Sequence, residues 1–186
     1  MDYTSFSHGQ VHSKLWLCQN IEPYIPDQAS IAILGAWYNV LGFMLLTRNP
    51  KKYRAITGID VDPTVKPIAD SICNAWVFGS DLHVCNITQD ACDVDLTDFQ
   101  VVLNCSTEHM KSNDWFYQIP NGTLVGLQSA CVYEEEKLQD WKITNPNNSL
   151  AEFTKKYPLS SYYLRDTMKI QYDHWGYDRF MIIGVK

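Results

Sequence analysis

Four short stretches of this chain carry residue types suited to binding or moving polar and charged atoms. The first is Ile31-Ala32-Ile33-Leu34-Gly35-Ala36-Trp37-Tyr38-Asn39. Gly35 there lets the backbone turn sharply and brings N–H groups towards a ligand. The second is Thr57-Gly58-Ile59-Asp60-Val61-Asp62-Pro63. An ionised carboxylate is acceptor-only with two oxygens, so Asp60 suits a pair of neighbouring hydroxyls such as those of a ribose. The third is Gln89-Asp90-Ala91-Cys92, where Asp90 is placed to accept from an exocyclic amino group of a base. The fourth runs from Val101 to Met110 and holds Asn104, Cys105, Ser106, Thr107, Glu108 and His109 in succession. Glu108 or His109 suits a general base there. The same residues also suit a helix start, with Ser106 or Thr107 as cap and Glu108 in the favourable first turn. Neighbouring helical residues point apart, so Glu108 and His109 are not expected to act as a pair.

These stretches need elements to bring them together, and the apolar pattern supplies candidates. Strands are expected at Ser30 to Leu34, Arg54 to Asp60, Leu82 to Thr88, Phe99 to Asn104 and Thr123 to Gln128. The apolar run Val40 to Leu46 reads as a buried helix ended by Asn49-Pro50. A second helix is expected from about Val65 to Trp76, with Ile68, Ile72 and Trp76 on one face. A third spans Ser149 to Lys156. The chain closes with Lys169 to Tyr172 and Arg179 to Val185, joined through His174-Trp175-Gly176-Tyr177 as an antiparallel hairpin. Alternation of strands with helical or irregular stretches implies a mainly parallel sheet covered on both faces. In such a sheet ligands bind beyond the carboxyl ends of the strands, where strand order reverses. All four chemical stretches fall at such ends. Residues 1–29, with Val11, Leu15, Trp16 and Leu17, form a helical segment expected to cover that site.

A glycine turn after the first strand, an acid ending the second and an acid after the third resemble the class I S-adenosylmethionine-dependent methyltransferases. The resemblance spans Ser30 to Lys186 and includes the antiparallel last strand. It implies one domain over residues 1–186, an α/β fold with a three-layer Rossmann-like sheet and an antiparallel C-terminal hairpin strand. By resemblance Gly35, Ala36, Trp37 and Asn39 meet the methionine part of S-adenosylmethionine, Asp60 the ribose, and Val61, Asp90 and Ala91 the adenine. Asn104 and Ser106 lie beside the transferred methyl, with Asn104, Glu108 and His109 as catalytic candidates. The chain departs from the family where Trp37 and Asn39 replace repeated glycines; Asn tolerates a left-handed backbone, so Asn39 suits a glycine's place. The Asn-Pro-Pro-Tyr motif of amino methyltransferases is absent. A nicotinamide dehydrogenase also pairs a glycine turn with an acid, yet Gly-Ala-Trp-Tyr-Asn-Val lacks its second and third glycines. Pyrophosphate needs close backbone approach, which Trp37 and Tyr38 obstruct.

Composition narrows the partners. A formal charge of −6, from 15 basic and 21 acidic residues, opposes a surface built for nucleic acid. With Glu108 near the methyl, a small acceptor that is neutral or cationic, or whose proton must be removed, is expected. The alternatives are an enzyme that cleaves or cyclises S-adenosylmethionine without an acceptor, and a binding module without turnover. No apolar run approaches the roughly 20 residues of a membrane span. Residues 1–10 lack a basic start and an apolar core, so a cytoplasmic location is expected. The six cysteines at 18, 73, 85, 92, 105 and 131 form no Cys-x-x-Cys pair and are expected to be reduced, without metal. Cys73, Cys85 and Cys105 read as small hydrophobes. His8 and His12 read as residues of a mobile start, Trp115 to Tyr117 as core, and Arg165 as a surface ion-pair residue.

Overall fold

The computed structural model describes residues 2–76, 81–131 and 140–186. Seven strands form a sheet: β1 (Ala29–Leu34), β2 (Tyr53–Asp60), β3 (His83–Thr88), β4 (Val101–Asn104), β5 (Leu124–Cys131), β6 (Ser161–Gln171) and β7 (Gly176–Val185). Their order is β3-β2-β1-β4-β5-β7-β6. The first five run parallel, while β7 pairs antiparallel with both β5 and β6. The chain steps outward from β1 to β3 and then returns to the other side of β1 with β4. Strand order therefore reverses between β1 and β4, beside the Gly35 turn.

The period-two alternation of a strand sends neighbouring side chains to opposite faces, and β1 shows it. Ile31 and Ile33 pack with Leu17, Ile21, Leu41 and Leu45 on one face. Ala32 and Leu34 pack with Trp115, Phe116, Phe153 and Tyr157 on the other. The first face is covered by α1 (His8–Ile21) and α2 (Val40–Arg48); α3 (Lys66–Cys73) packs beside α2 and β3. The second face holds α4 (Asp114–Tyr117) and α5 (Leu150–Lys156). The arrangement is the expected three-layer, mainly parallel sheet with an antiparallel C-terminal hairpin.

Helix α1 is held closely. A Cβ on Gly126 of β5 would lie 2.6 Å from Ile21 Cδ1 and 3.1 Å from Leu17 Cδ1, so a larger residue there would make those side chains shift. The Gln128 amide of β5 donates to the Ser13 carbonyl over 2.8 Å, a buried bond that fixes the helix along the strand.

Several boundaries differ from those the sequence suggests. The hairpin is longer than its apolar residues imply, because β6 is an edge strand with mostly exposed or half-buried side chains and buries only Ile170. Strand β5 continues to Cys131 with all eight residues buried. Helix α3 stops at Cys73 and tightens into a 3-10 turn over Asn74–Trp76. Cys85 is exposed on β3 rather than packed in the core. Arg165 stacks over the Tyr162 ring at 5.0 Å, and among the described residues it has no carboxylate within 4.0 Å to make the expected ion pair. Among the described residues no helix is long and apolar enough to cross a membrane.

Candidate functional site

The turn after β1 is built from three left-handed residues. Gly35, Trp37 and Asn39 have φ of +61°, +51° and +53°. Asn39 therefore does take the conformation that a glycine would supply. Its fully buried side chain accepts from the Gly42 N–H and caps α2. Its amide also donates to Asn86 Oδ1 at 2.8 Å, and Asn86 in turn donates to Asp70 at 2.9 Å. Buried polar groups are expensive unless paired, and this chain of amides satisfies them beneath the turn. Trp37 is a bulky residue held left-handed, which costs on the order of 1 kcal/mol and persists because neighbours enforce it.

The neighbour that enforces it is Asp60. One carboxylate oxygen accepts from the Trp37 N–H at 2.7 Å, and the other accepts from the Asp62 N–H at 3.0 Å. The carboxylate thus joins the ends of β1 and β2, and each oxygen keeps a free acceptor direction towards the cavity. Gly35 meets the fourth stretch directly, since the Ser106 hydroxyl donates to the Gly35 carbonyl at 3.2 Å. A Cβ at Gly35 would collide with that hydroxyl.

These strand ends line a cavity of about 650 Å³, within the roughly 300–1,000 Å³ typical of small-molecule pockets. Gly35, Ala36, Trp37, Asp60, Val61, Asp90, Ala91, Ser106, Glu108 and His109 all line it. Val61 is 62% exposed and forms an apolar shelf. The Asp90 carboxylate caps the turn Ala91–Asp93 by accepting from the Cys92 N–H. Asn39 and Asn104 sit beneath the walls and do not line the cavity. Asn104 Oδ1 accepts from the Ser106 N–H at 2.8 Å, while its buried Nδ2 has no partner among the described residues.

The fourth stretch departs from the helix-start expectation. Thr107–His109 is a single 3-10 turn, and Ser106 caps nothing with its side chain. Thr107 Oγ1 instead donates to the Gln128 carbonyl at 2.8 Å, which anchors the turn to β5. Glu108 is buried, and its Oε1 accepts from Arg179 Nη1 of β7 at 2.5 Å. Arg179 Nη2 donates to the Cys105 carbonyl. His109 is more exposed, with Nδ1 3.4 Å from the Lys142 carbonyl. Against the expectation that adjacent positions diverge, His109 Nε2 lies 3.9 Å from Glu108 Oε1.

Several lining residues were not singled out from sequence. Gln10 and Lys14 reach the cavity from α1, and Met110, Trp141, Lys142 and Thr144 reach it from the segments after β4 and β5. Burial lowers the Lys14 amine to about 8, with the Glu108 carboxylate raising it and Arg179 lowering it. Burial raises the Cys105 thiol, so it stays protonated at neutral pH. Arg179 is the least legible of these residues. Its one signal is a lone cation at the head of the apolar run Phe180 to Val185. A second depression, of about 450 Å³, lies at the hairpin tip by His8, Tyr172 and His174, remote from the strand ends. Among the described residues no cluster of three metal-ligating side chains occurs. Cys18, Cys73, Cys85, Cys92 and Cys105 form no disulfide.

A switch-point cavity over a β3-β2-β1-β4-β5-β7-β6 sheet with β7 antiparallel defines the fold of the class I S-adenosylmethionine-dependent methyltransferases. Solved structures share it across nearly the whole chain. NodS, an N-methyltransferase from Bradyrhizobium japonicum WM9, aligns over 98% of this chain and 99% of its own with a TM-score of 0.67 at 10% identity. The YcgJ protein from Bacillus subtilis aligns over 95% and 98% with a TM-score of 0.67 at 11% identity. Geranyl diphosphate C-methyltransferase from Streptomyces coelicolor A3(2), solved with S-adenosylhomocysteine, aligns over 93% and 78% with a TM-score of 0.70 at 10% identity. No protein-family model matches the sequence, and no curated protein matches it.

Proposed function

We propose that the chain is an S-adenosylmethionine-dependent methyltransferase acting on a small molecule. The observation that carries this reading is the Asp60 carboxylate. It is tied to the left-handed Gly35–Asn39 turn and faces a cavity at the switch point of this fold. The residues present fit the cofactor. Asp60 has two free acceptor directions for the ribose hydroxyls, Val61 and Ala91 offer apolar surfaces to the adenine, and Asp90 offers an acceptor to its amino group. The Gly35–Trp37 backbone would face the methionine part, and Ser106 would stand beside the methyl. When bound, the cofactor supplies an activated methyl on a sulfonium.

The protein's share of the chemistry is placement. Alignment of an acceptor atom with the methyl converts an encounter into an internal reaction, which lowers the barrier by several kcal/mol. Asn104, with its carbonyl on the Ser106 N–H, would hold the β4 end in shape. Glu108 is committed to Arg179, so His109 is the better candidate to take a proton from the acceptor. A proton on Nδ1, directed at the Lys142 carbonyl, would leave Nε2 as the acceptor nitrogen. His109→Gln should lower turnover by roughly 10²–10⁴ while S-adenosylhomocysteine affinity holds.

The test of the function incubates the protein with methyl-labelled cofactor and either a small-metabolite extract or total nucleic acid. Label in a small molecule is expected. Label in RNA or DNA would refute the small-molecule reading. Cofactor consumption without a labelled product would favour a lyase or cyclase, and binding without consumption a module lacking turnover.

A further inference from the structure

The charges around the cavity come from different elements, although Lys142 lies within electrostatic reach of Asp62. Its acids without an ion pair within 4.0 Å among the described residues, Asp60, Asp62 and Asp90, come from the ends of β2 and β3. Its cations, Lys14, Lys111 and Lys142, come from α1 and from the segments after β4 and β5. Glu108 lies among the cations, but its ion pair with Arg179 cancels it. Arginine cannot lose its proton in a protein, so Lys14 adds an uncompensated charge to that buried group. Lys14 is 8% exposed. Its amine donates to Gln10 Oε1 one turn earlier, and no carboxylate of the described residues lies within 4.0 Å of it.

A buried ammonium without an anion is costly, and an amide dipole compensates only part of its charge. A site that retains such a group therefore favours an anionic ligand. The place in the sheet says which part of the contents it meets. Lys14 is within electrostatic reach of Cys105 after β4 and Arg179 on β7, on the opposite side of β1 from Asp60 and Asp90. That is the acceptor end. The surfaces beside it are apolar, with Met110 and the half-buried indole of Trp141 on the wall.

We propose that Lys14, oriented by Gln10, binds a carboxylate on the methyl acceptor, and that the acceptor is a small acid with an apolar body. This assignment rests on the methyltransferase reading for the word acceptor, though the anion site can be tested without it.

Benzoate and its neutral isostere benzamide are the probes, titrated into protein saturated with S-adenosylhomocysteine and into ligand-free protein, with indole N–H signals observed by NMR. Benzoate should bind at least about tenfold more tightly than benzamide, as a charge-assisted hydrogen bond implies. Lys14→Met and Lys14→Gln should abolish the preference, and Lys14→Arg should keep part of it. Equal binding of the two probes, no benzoate binding, or a preference that survives in Lys14→Met would overturn the proposal. A second arm compares S-adenosylhomocysteine with 5′-methylthioadenosine, which lacks the amino-acid carboxylate. Lys14→Met should leave both affinities within about twofold. A tenfold loss for S-adenosylhomocysteine alone would assign Lys14 to the cofactor and refute an acceptor site. If wild-type protein binds no S-adenosylhomocysteine, the methyltransferase reading fails; the ligand-free titration still decides whether Lys14 selects a carboxylate.

Discussion

Glu108→Gln should behave as a stability variant and not as the loss of a catalytic base. The change leaves the shape of residue 108 intact and removes its charge, so the guanidinium of Arg179 stays buried without a counter-ion. Both side chains are 3% exposed in the native protein, and stripping one partner from such a pair costs about 3–5 kcal/mol. Whole-domain stability is about 5–15 kcal/mol, so roughly a fifth or more of it is at stake. For a chain of this size that corresponds to a fall in Tm of roughly 10 °C. Among the described residues Glu108 Oε2 and Arg179 Nε have no partners, so the pair is imperfectly satisfied. The double variant Glu108→Leu with Arg179→Met should then recover much of the loss, because it removes both desolvated charges. Urea unfolding of the wild type, Glu108→Leu, Arg179→Met and the double variant forms a complete cycle. The reasoning is refuted if Glu108→Gln unfolds within about 1 kcal/mol of wild type yet loses methyl transfer.

The ligand-free Lys14→Met protein should be more stable than wild type by about 3 kcal/mol near pH 7, the cost of holding a buried ammonium whose native value is about 8. Because burial depresses this lysine below its unfolded value, wild-type stability rises between pH 8 and 10.5. The difference between the two proteins should shrink across that window, and a constant difference would contradict it. Asn39→Ala should cost about 2–3 kcal/mol by denaturant melts, through a lost cap and a strained left-handed backbone. Asn39→Gly should cost less, since glycine accepts the conformation, and equal losses would remove the strain argument. Native-state alkylation should modify exposed Cys85 first and half-buried Cys92 more slowly, leaving four buried thiols until denaturant is added. Rapid labelling of Cys18 or Cys105 would contradict the packing of α1.

The parallel core was legible because strands buried on both faces read as short apolar runs closed by Gly35, Asp60-Val61-Asp62-Pro63 and Asn104. Edge strand β6 was only partly legible. Its Ser161 to Lys169 stretch is mostly solvated, so hydrophobicity marks its end and not its length. The Gly35 turn could be read locally, even with Trp37 and Asn39 in left-handed positions. Glu108 could not be read so easily. Its role depends on Arg179, 71 residues away and brought opposite it only by the β5–β7 register that pairs Ala130 with Arg179. Lys14 was hidden for the same reason: a lysine between Ser13 and Leu15 looks solvated until Gln128 and Gly126 draw the helix onto β5.

The central claim is that the strand-end cavity holds S-adenosylmethionine through Asp60. Calorimetric titration of wild type and Asp60→Ala with S-adenosylhomocysteine, and of wild type with NAD, tests it most directly. Saturable binding of S-adenosylhomocysteine at one site per chain is predicted, with no heat from NAD. Asp60→Ala should weaken that binding by at least the 1.5–3 kcal/mol or so of one charged hydrogen bond, about tenfold or more in Kd. NAD binding without S-adenosylhomocysteine binding, or an affinity indifferent to Asp60→Ala, would contradict the account.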